Sequence, residues 1–298
     1  MFWIILAISS HFFWALGNIG DKYIVGHRVK NPFVYLVWFT FTGIFVLLVI
    51  PFINFDIPPT NILLLLILAG AVYFFGGLPY IKAMQIEEPT RVNVWWNLIP
   101  LFSLFIGWVF LGEVFNQIQI FAFILLVTGA FIASIHARGK KIIFSKAVWY
   151  MMIACLSFTL YATIFRYCMR YISFTNGFVL THLIMFGFSF ILFFWKKFRS
   201  DFVYEIKHAN INLLILVLVM ASLAHFGAFL NQWALSLGPV ALVFAMEGFQ
   251  VIFVFAIATL LSLFLPGIVK EELDKKNILL KLTALSLMII GILILAFN

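Results

Sequence analysis

The chain has 298 residues, of which 65% are hydrophobic and only 10% are charged, and its formal net charge is +8. Soluble domains carry roughly 25% charged residues, so this composition excludes an ordinary soluble protein. The positive charge indicates an attraction to anionic lipid headgroups rather than to nucleic acid. We therefore expect an integral membrane protein whose partners include the lipid bilayer and exclude nucleic acid.

Ten apolar runs follow one another along the chain with short connections. A helix needs about 20 apolar residues to cross a hydrocarbon core of ~30 Å, and the alternating strands of a membrane barrel are not seen. The first run lacks the basic start and cleavage site of a signal peptide, so we expect it to remain as a helix. The sequence predicts an all-α membrane protein with ten transmembrane helices, at 2–24, 33–53, 61–82, 92–113, 116–135, 147–170, 175–195, 211–236, 239–264 and 278–297.

Two of these runs resemble each other. PTRVNVWWNLIPLFSLFIGWVFLGE begins at Pro89 and PVALVFAMEGFQVIFVFAIATLLSLFL begins at Pro239, which places Asn97 on Glu247 and Pro100 on Gln250. Five runs lie on each side of a basic segment at 136–141. Because five is odd, the second set must enter the membrane from the opposite side. This predicts two inverted repeats, 1–140 and 141–298, within one membrane domain, which is an architecture of transporters.

Several short motifs give the whole chain a family resemblance. Trp14-Ala15-Leu16-Gly17-Asn18, Leu111-Gly112-Glu113 after Pro100, and Trp233-Ala234-Leu235-Ser236-Leu237-Gly238-Pro239 are similar to motifs of the EamA-like family of the drug/metabolite transporter superfamily. The resemblance implies a central cavity lined mainly by the first, third, fourth, sixth, eighth and ninth spans. It also implies alternating access without ATP, with export as the common direction.

The second repeat departs from that family's pattern at two points. Gln250 stands where the family often has proline, and no Leu-Gly-Glu sequence ends the ninth run. A role for Glu113 cannot therefore be assigned by symmetry, and we expect this residue to lie at the membrane interface in a structural role.

Glu247 is the clearest candidate for function, because a charge inside a span costs about 2.5–3.5 kcal/mol on insertion scales. It is either a proton site, a partner for a cationic group of the substrate, or a partner of an Arg or His that fixes helix packing. His225 is a second candidate for proton coupling, since imidazole titrates near neutral pH, although His11, His182 and His225 can equally serve as neutral hydrogen-bond partners.

Polar and aromatic residues on the inward helix faces complete the predicted site. Of the adjacent Trp95 and Trp96 only one can face a cavity squarely, and Trp96 is favoured because it shares a face with Pro100. Near the end of the sixth run, Arg166 and Arg170 are expected to snorkel to the interface, with an anion-binding role for Arg166 as the alternative. The predicted substrate-binding residues are Trp14, Asn18, Tyr80, Trp96, Asn97, Tyr161, His225, Gln232, Glu247 and Gln250.

The predicted function is secondary-active transport, with export of a small organic metabolite such as an amino acid or a related cationic or zwitterionic compound. A flippase for lipids or lipid-linked headgroups is the alternative of the same fold, and an intramembrane enzyme built on His225 and Glu247 is a further one. We expect no enzyme activity, cofactor or metal, because the sequence has no nucleophile–base pair, His-Glu-x-x-His motif or paired-Cys spacing. Proton coupling is considered, and either a monomer or a homodimer is compatible with the sequence.

The distribution of basic residues bears on orientation in the cell (inner) membrane. Of the 19 Lys and Arg residues, all but Arg166 and Arg170 lie in or beside the connections after the first, third, fifth, seventh and ninth runs. Since Lys and Arg mark cytoplasmic loops, this bias places both termini outside the cytoplasm. The family resemblance implies the reverse, and we follow the charges.

Overall fold

The computed structural model describes residues 2–99, 101–103, 105–106, 116–138, 141–237, 243 and 246–297. Eight helices in these ranges are long and apolar enough to cross a membrane, and they coincide with eight of the predicted runs. A ninth helix, Gln117–Ala133, is apolar but shorter and coincides with the fifth run. The fourth run is described only in part, so the count of ten spans stays a prediction.

Five helices are described in the first half of the chain. The first ends in a wider π-helical turn at Ile24–Arg28, and the second tightens into a 3₁₀ helix at Gly43–Phe52. The fifth begins with a capping box, in which Asn116 Oδ1 accepts from the Gln119 backbone N–H at 2.8 Å and Gln119 Oε1 accepts from the Asn116 N–H at 3.0 Å. The helices are α1 (Phe2–Tyr23), α2 (Pro32–Thr42), α3 (Thr60–Ile86), α4 (Pro89–Trp96) and α5 (Gln117–Ala133).

The residues described in the second half form six helices, of which one was not predicted. A 3₁₀ turn at Leu192–Phe194 leads from the seventh run into an amphipathic helix, where we expected only a short connection. The helices are α6 (Ala147–Cys168), α7 (Phe174–Ile191), α8 (Lys196–His208), α9 (Ile211–Leu237), α10 (Glu247–Phe264) and α11 (Lys275–Phe297).

A short antiparallel hairpin joins the two halves and departs from the all-α prediction. Its strands are β1 (Ile135–Arg138) and β2 (Lys141–Phe144), and Ile135 pairs with Phe144. β-Branched residues such as those at 142 and 143 favour extended backbone, which the basic character of this segment concealed in the sequence.

The helices of the two halves pack across one another in matching pairs. The first predicted span of each half packs against the third and fourth spans of the other half, as α1 with α9 and α10, and α6 with α3 and α4. Like helices also meet, as α2 with α7, α4 with α10, and α5 with α11. This arrangement is the one expected if the two halves are structurally equivalent, although the boundaries 1–140 and 141–298 stay predictions.

The second helix is less peripheral than its apolar sequence indicated. An apolar run of this kind is typical of a lipid-facing span, but the residues of α2 from Val34 to Trp38 are buried against neighbouring helices. A uniformly apolar helix has no periodic pattern that separates a lipid-facing side from a buried side, because both are apolar.

Candidate functional site

A cavity of about 170 Å³ lies in the middle of the helix bundle. Its walls come from α1, α3, α6, α9 and α10 and from the region around Trp96, as the family resemblance implied, together with residues of α2 and α7. The lining is mainly aromatic, with polar groups from Asn18, Asp21, Asn231, Gln232, Glu247 and Gln250. A concave, largely apolar site with a few convergent polar groups is the usual form of a small-molecule site.

Asn93 of α4 connects three of the walls through one amide. Its Nδ2 donates to the Pro89 carbonyl at 2.9 Å, and this contact determines which way the amide points. Its Oδ1 therefore accepts from Asn18 Nδ2 at 2.6 Å and from Gln250 Nε2 at 2.7 Å. Asn93 thus joins α1 and α4 of the first half to α10 of the second.

The same chain of bonds extends to His11. Because Gln250 Nε2 is committed to Asn93, its Oε1 faces His11 Nδ1 at 3.0 Å. A carbonyl oxygen only accepts, so the proton of the His11 ring is on Nδ1. The His11 Nε2 atom has no hydrogen-bond partner among the described residues.

Glu247 lies at the start of the described part of α10 and lines the cavity. Its Oε2 is 3.8 Å from His11 Nδ1, which is beyond hydrogen-bond distance, and the imidazole proton is already donated to Gln250. No described residue donates a hydrogen bond to the Glu247 carboxylate. The cavity therefore has an acidic group with free acceptor capacity in its wall.

Asp21, on the last turn of α1, is held by two tyrosines. The Tyr35 hydroxyl of α2 donates to its Oδ1, and the Tyr80 hydroxyl of α3 lies 2.8 Å from its Oδ2. The Tyr80 oxygen also lies 2.8 Å from Asn18 Oδ1. Asp21 is only 6% exposed, and among the described residues no cationic side chain comes within 4.0 Å of its carboxyl group.

Eight of the ten predicted substrate-binding residues line this cavity: Trp14, Asn18, Tyr80, Trp96, Tyr161, Gln232, Glu247 and Gln250. Trp95, next to Trp96, is instead fully buried, with its Nε1 donating to the Ala130 carbonyl at 3.3 Å. Gln232 Nε2 donates to the Tyr161 hydroxyl at 2.6 Å, which joins α9 to α6 at the cavity wall.

Asn97 and His225 are not among the lining residues. Asn97 is fully buried, and neither polar atom of its amide bonds to a described residue. His225 lies behind the wall formed by α2, where its Nε2 is 3.0 Å from Thr42 Oγ1, and its ring contacts His182 with centroids 5.2 Å apart. Helical spacing places His225 and Gln232 on one face of α9, but of these two residues only Gln232 lines the cavity.

The lining or supporting residues that the predicted site omitted include Asp21, Tyr35, Tyr73, Asn93 and Asn231. Asp21 follows Trp14 and Asn18 at helical spacing, and Tyr73 shares a face with Tyr80, so the periodic pattern contained both. Nothing in the apolar sequence of α2 distinguishes Tyr35, whose position depends on the packing of that helix.

A second polar cluster closes the end of the bundle where α1 and α3 finish. The Arg91 guanidinium is fully buried, donates to Glu88 Oε2 at 3.2 Å and to Asn277 Oδ1 at 3.0 Å, and also reaches the Ala133 carbonyl. Lys281 Nζ is 2.7 Å from Glu88 Oε2. We call this set the ion cluster: Lys22, Glu87, Glu88, Arg91, Glu271, Glu272 and Lys281.

The ion cluster joins the two halves of the chain, since Glu88 and Arg91 precede or begin α4 while Glu271 and Lys281 flank the start of α11. Burial is the main cause that raises the pKa of Glu88, and the nearby Glu271 raises it further, against the opposing effect of Lys281 and Arg91. Removing one partner from a buried ion network of this kind destabilises a protein by several kcal/mol. The ion cluster therefore holds the two halves together at this end of the bundle.

The Arg166 side chain is bonded to the protein backbone, since its guanidinium donates to the Leu235 carbonyl. Arg170 lies over the Tyr167 ring at 5.8 Å. The predictions for Pro100, for Glu113 and for the start of the ninth run at Pro239 fall outside the described residues.

Residues 1–135 match the EamA-like transporter family. A comparison with curated proteins gives no match. One solved crystal structure of another protein superposes with a TM-score of 0.60 over 96% of this chain and 94% of the other, at 14% sequence identity. That likeness shows a shared fold alone. The first 135 residues thus match this family, and the resemblance predicted from the motifs is confirmed over that part of the chain.

Proposed function

We propose that this EamA-like membrane transporter carries a small organic solute with a cationic group, which binds in the central cavity against Glu247. The observation that supports this most directly is the Glu247 carboxylate, which faces the cavity and receives no hydrogen bond from a described residue. A buried acidic group without a partner is costly, and a cationic ligand removes that cost by pairing with it.

The aromatic wall suits the same kind of solute. Tyr73 contacts Phe158 and Tyr161 with ring centroids 4.7 and 4.5 Å apart, and Trp96 contacts Phe158 at 5.0 Å. Aromatic faces attract ammonium groups by about 0.5–2 kcal/mol, more strongly when water is excluded. The wall therefore supplies both apolar contact and a second attraction for positive charge.

The size of the cavity favours an amino acid or a related metabolite. Sites for drug-sized ligands enclose about 300–1,000 Å³, whereas this cavity encloses about 170 Å³. The amides of Asn231 and Gln232 also line the cavity from α9. Each amide nitrogen gives one hydrogen to a neighbour, Ser10 or Tyr161, and keeps a second hydrogen for the carboxylate of a zwitterion. A whole phospholipid is a poor fit to such a volume, which places a flippase second.

The ion cluster and the paired halves support alternating access. The cluster binds the halves together at one end of the helices, and opening that end requires its ion pairs to separate. Because most basic residues lie at this same end, we assign it to the cytoplasm. Since the ion cluster closes that end, we take the opposite side as the one from which the cavity is reached in this conformation. Export across the cell (inner) membrane then corresponds to a cycle in which solute enters after the cluster opens.

The test is solute flux into proteoliposomes, with candidates chosen by a thermal-stabilisation screen of amines, amino acids and related metabolites. Glu247→Gln keeps the shape of the side chain and removes its charge. We expect the apparent affinity for a cationic solute to fall roughly 10–100-fold, because a hydrogen bond to a charged group is worth about 1.5–3 kcal/mol.

Glu205→Gln is the matched control, since Glu205 lies on α8, away from the cavity, and its glutamine retains the oxygen that accepts from the Lys30 N–H. Unchanged flux and affinity in Glu247→Gln would contradict the assignment of the carboxylate. Transfer of labelled lipid between leaflets, without flux of any solute, would replace the transporter proposal with the flippase.

A further inference from the structure

The hydrogen bonds around Tyr80 contain one proton too few unless Asp21 supplies it. The Tyr80 oxygen lies 2.8 Å from two other oxygens, Asn18 Oδ1 and Asp21 Oδ2. A phenol has a single hydrogen and can donate to only one of them. The other short contact needs a hydrogen from its own oxygen, and an amide oxygen has none.

The Asn18 amide cannot be turned over to supply the missing hydrogen. Asn93 Nδ2 is committed to the Pro89 carbonyl, so Asn93 Oδ1 faces Asn18 and must accept from Asn18 Nδ2. Turning the Asn18 amide over would place two carbonyl oxygens 2.6 Å apart. Asn18 Oδ1 therefore faces Tyr80 and takes the tyrosine's only hydrogen.

We infer that Asp21 carries an exchangeable proton on Oδ2, donated to the Tyr80 oxygen, and that Asp21 is the proton-coupling carboxyl of this transporter. In this arrangement Tyr35 donates to Asp21 Oδ1, Asp21 donates to Tyr80, Tyr80 donates to Asn18, and Asn18 donates to Asn93. Each short contact along this chain of side chains then has a hydrogen between its two atoms. Only the coupling role of Asp21 rests on the proposed function; the presence of its proton follows from the hydrogen-bond geometry.

The surroundings of Asp21 favour the neutral acid in this conformation. Lys22, the adjacent residue, donates to the Met84 and Glu87 carbonyls at 2.8 and 2.7 Å rather than to Asp21. The packed helices contribute Asn93 from α4 and Asn231 and Gln232 from α9, which do not titrate. The titratable groups that line the cavity with Asp21 are Tyr35 from α2, Tyr73 and Tyr80 from α3, Tyr161 from α6 and Glu247 from α10.

Loss of the proton changes the links between helices. A deprotonated Asp21 accepts from both Tyr35 and Tyr80, which takes the Tyr80 hydrogen away from Asn18. The proton leaves to water in the cavity, which Asp21 lines. Asn18 then loses its bond to α3, and the chain that runs through Asn93 to Gln250 of α10 loses its connection to Tyr80. Proton release is thereby coupled to the contact between α1, α3, α4 and α10, while Glu247 stays available to the solute.

Infrared difference spectroscopy of the purified protein tests the proton without any solute. We expect a carbonyl stretch of a protonated carboxylic acid at neutral pH that shifts in D₂O, disappears in Asp21→Asn and persists in Glu247→Gln. Asp56→Asn, at an exposed loop residue, is the matched control and leaves the band unchanged. Absence of a band that depends on Asp21 would overturn the proposal.

Asp21→Asn keeps a donor for Tyr80 and an acceptor for Tyr35, so it mimics the neutral acid and is expected to fold. In proteoliposomes we expect its solute flux to lose the dependence on an imposed pH gradient that wild type and Asp56→Asn show. Gradient-dependent flux that survives in Asp21→Asn would overturn the coupling role. An Asp21 band in a protein that moves no solute would instead leave the protonated carboxyl standing and reject the proposed transport function.

Discussion

At the scale of single residues, Asn93 links several helices through one small side chain. One buried amide makes three hydrogen bonds that join Pro89, Asn18 and Gln250. Asn93→Leu has a similar volume but leaves the two facing amides unpaired, at about 1–3 kcal/mol for each buried group. We therefore expect a clear fall in the thermal unfolding temperature of the detergent-solubilised protein, which tryptophan fluorescence would measure.

Asn54→Leu serves as the control for that change, because Asn54 is exposed in the connection between α2 and α3. Its unfolding temperature should stay close to that of wild type. Equal effects of the two substitutions would show that the Asn93 network contributes nothing to stability.

The residues of the site differ in how far sequence could find them. Trp14, Asn18 and Asp21 stand at helical spacing on one face of α1, so periodicity brings them together before any tertiary packing is known. Tyr35 and Asn93 give no such signal. The importance of Asn93 comes from the Pro89 carbonyl, which orients its amide, and that is a property of helix geometry rather than of residue type. His225 is the reverse case, because its helical spacing predicts a place at the cavity but its side chain lies behind the cavity wall.

At the scale of helices, α5 and α11 approach each other through glycine on both sides. A Cβ atom at Gly129 would lie 2.3 Å from Met288 Cγ and 3.0 Å from the Ala284 carbonyl oxygen, and one at Gly291 would lie 3.0 Å from the Ala122 carbonyl oxygen. Small residues let membrane helices pack closely, and backbone atoms cannot yield to an added methyl group as side chains can.

Gly129→Ala should therefore destabilise the α5–α11 contact by about 1–3 kcal/mol through overpacking. Gly187→Ala is the matched control on α7, where an added Cβ meets nothing within 4 Å, and alanine there should be neutral or should stabilise the helix by about 0.5–1 kcal/mol. Unfolding in graded denaturant would compare the two. A Gly129→Ala protein as stable as Gly187→Ala would show that these helices separate without cost.

The helix bounds were largely predictable because hydrophobic length is the main determinant of a membrane span. Where both ends are described, and with the 3₁₀ and π-helical continuations counted as part of each span, the predicted runs differ from the observed spans by no more than four residues. α8 was missed because it is short and polar on one side. Its buried Phe198 packs on Phe193 with ring centroids 5.1 Å apart, while Lys196, Lys197 and Arg199 interrupt the hydropathy that defines a span.

At the scale of the whole molecule, orientation is the property that sequence and family place in opposition. Lys22, Arg91 and Lys281 belong to the ion cluster, yet most other basic residues of the same end remain in the connections. With those three set aside, the charge bias still favours that end as cytoplasmic.

We accordingly expect a fusion at Asn298 to a phosphatase that is active only in the periplasm to be active. A fluorescent protein that matures only in the cytoplasm, fused at the same residue, should stay dark. Bright fluorescence with an inactive phosphatase would reverse the orientation and with it the proposed direction of access.

The crossed packing of the halves also determines an order of events during synthesis. Among the described helices α1 is made first, but α9 and α10, which it packs against, are made near the end. At 5–20 residues per second, the ribosome needs about 10–40 s to pass from Tyr23 to Ile211. Asn18 and Asp21 meet their partners Tyr35, Tyr80 and Asn93 well before that interval is over. His11 and Trp14 must wait for Gln250 of α10 and Ala224 of α9. These two polar groups of the newborn helix thus stay without their final hydrogen-bond partners until most of the second half of the chain has been made.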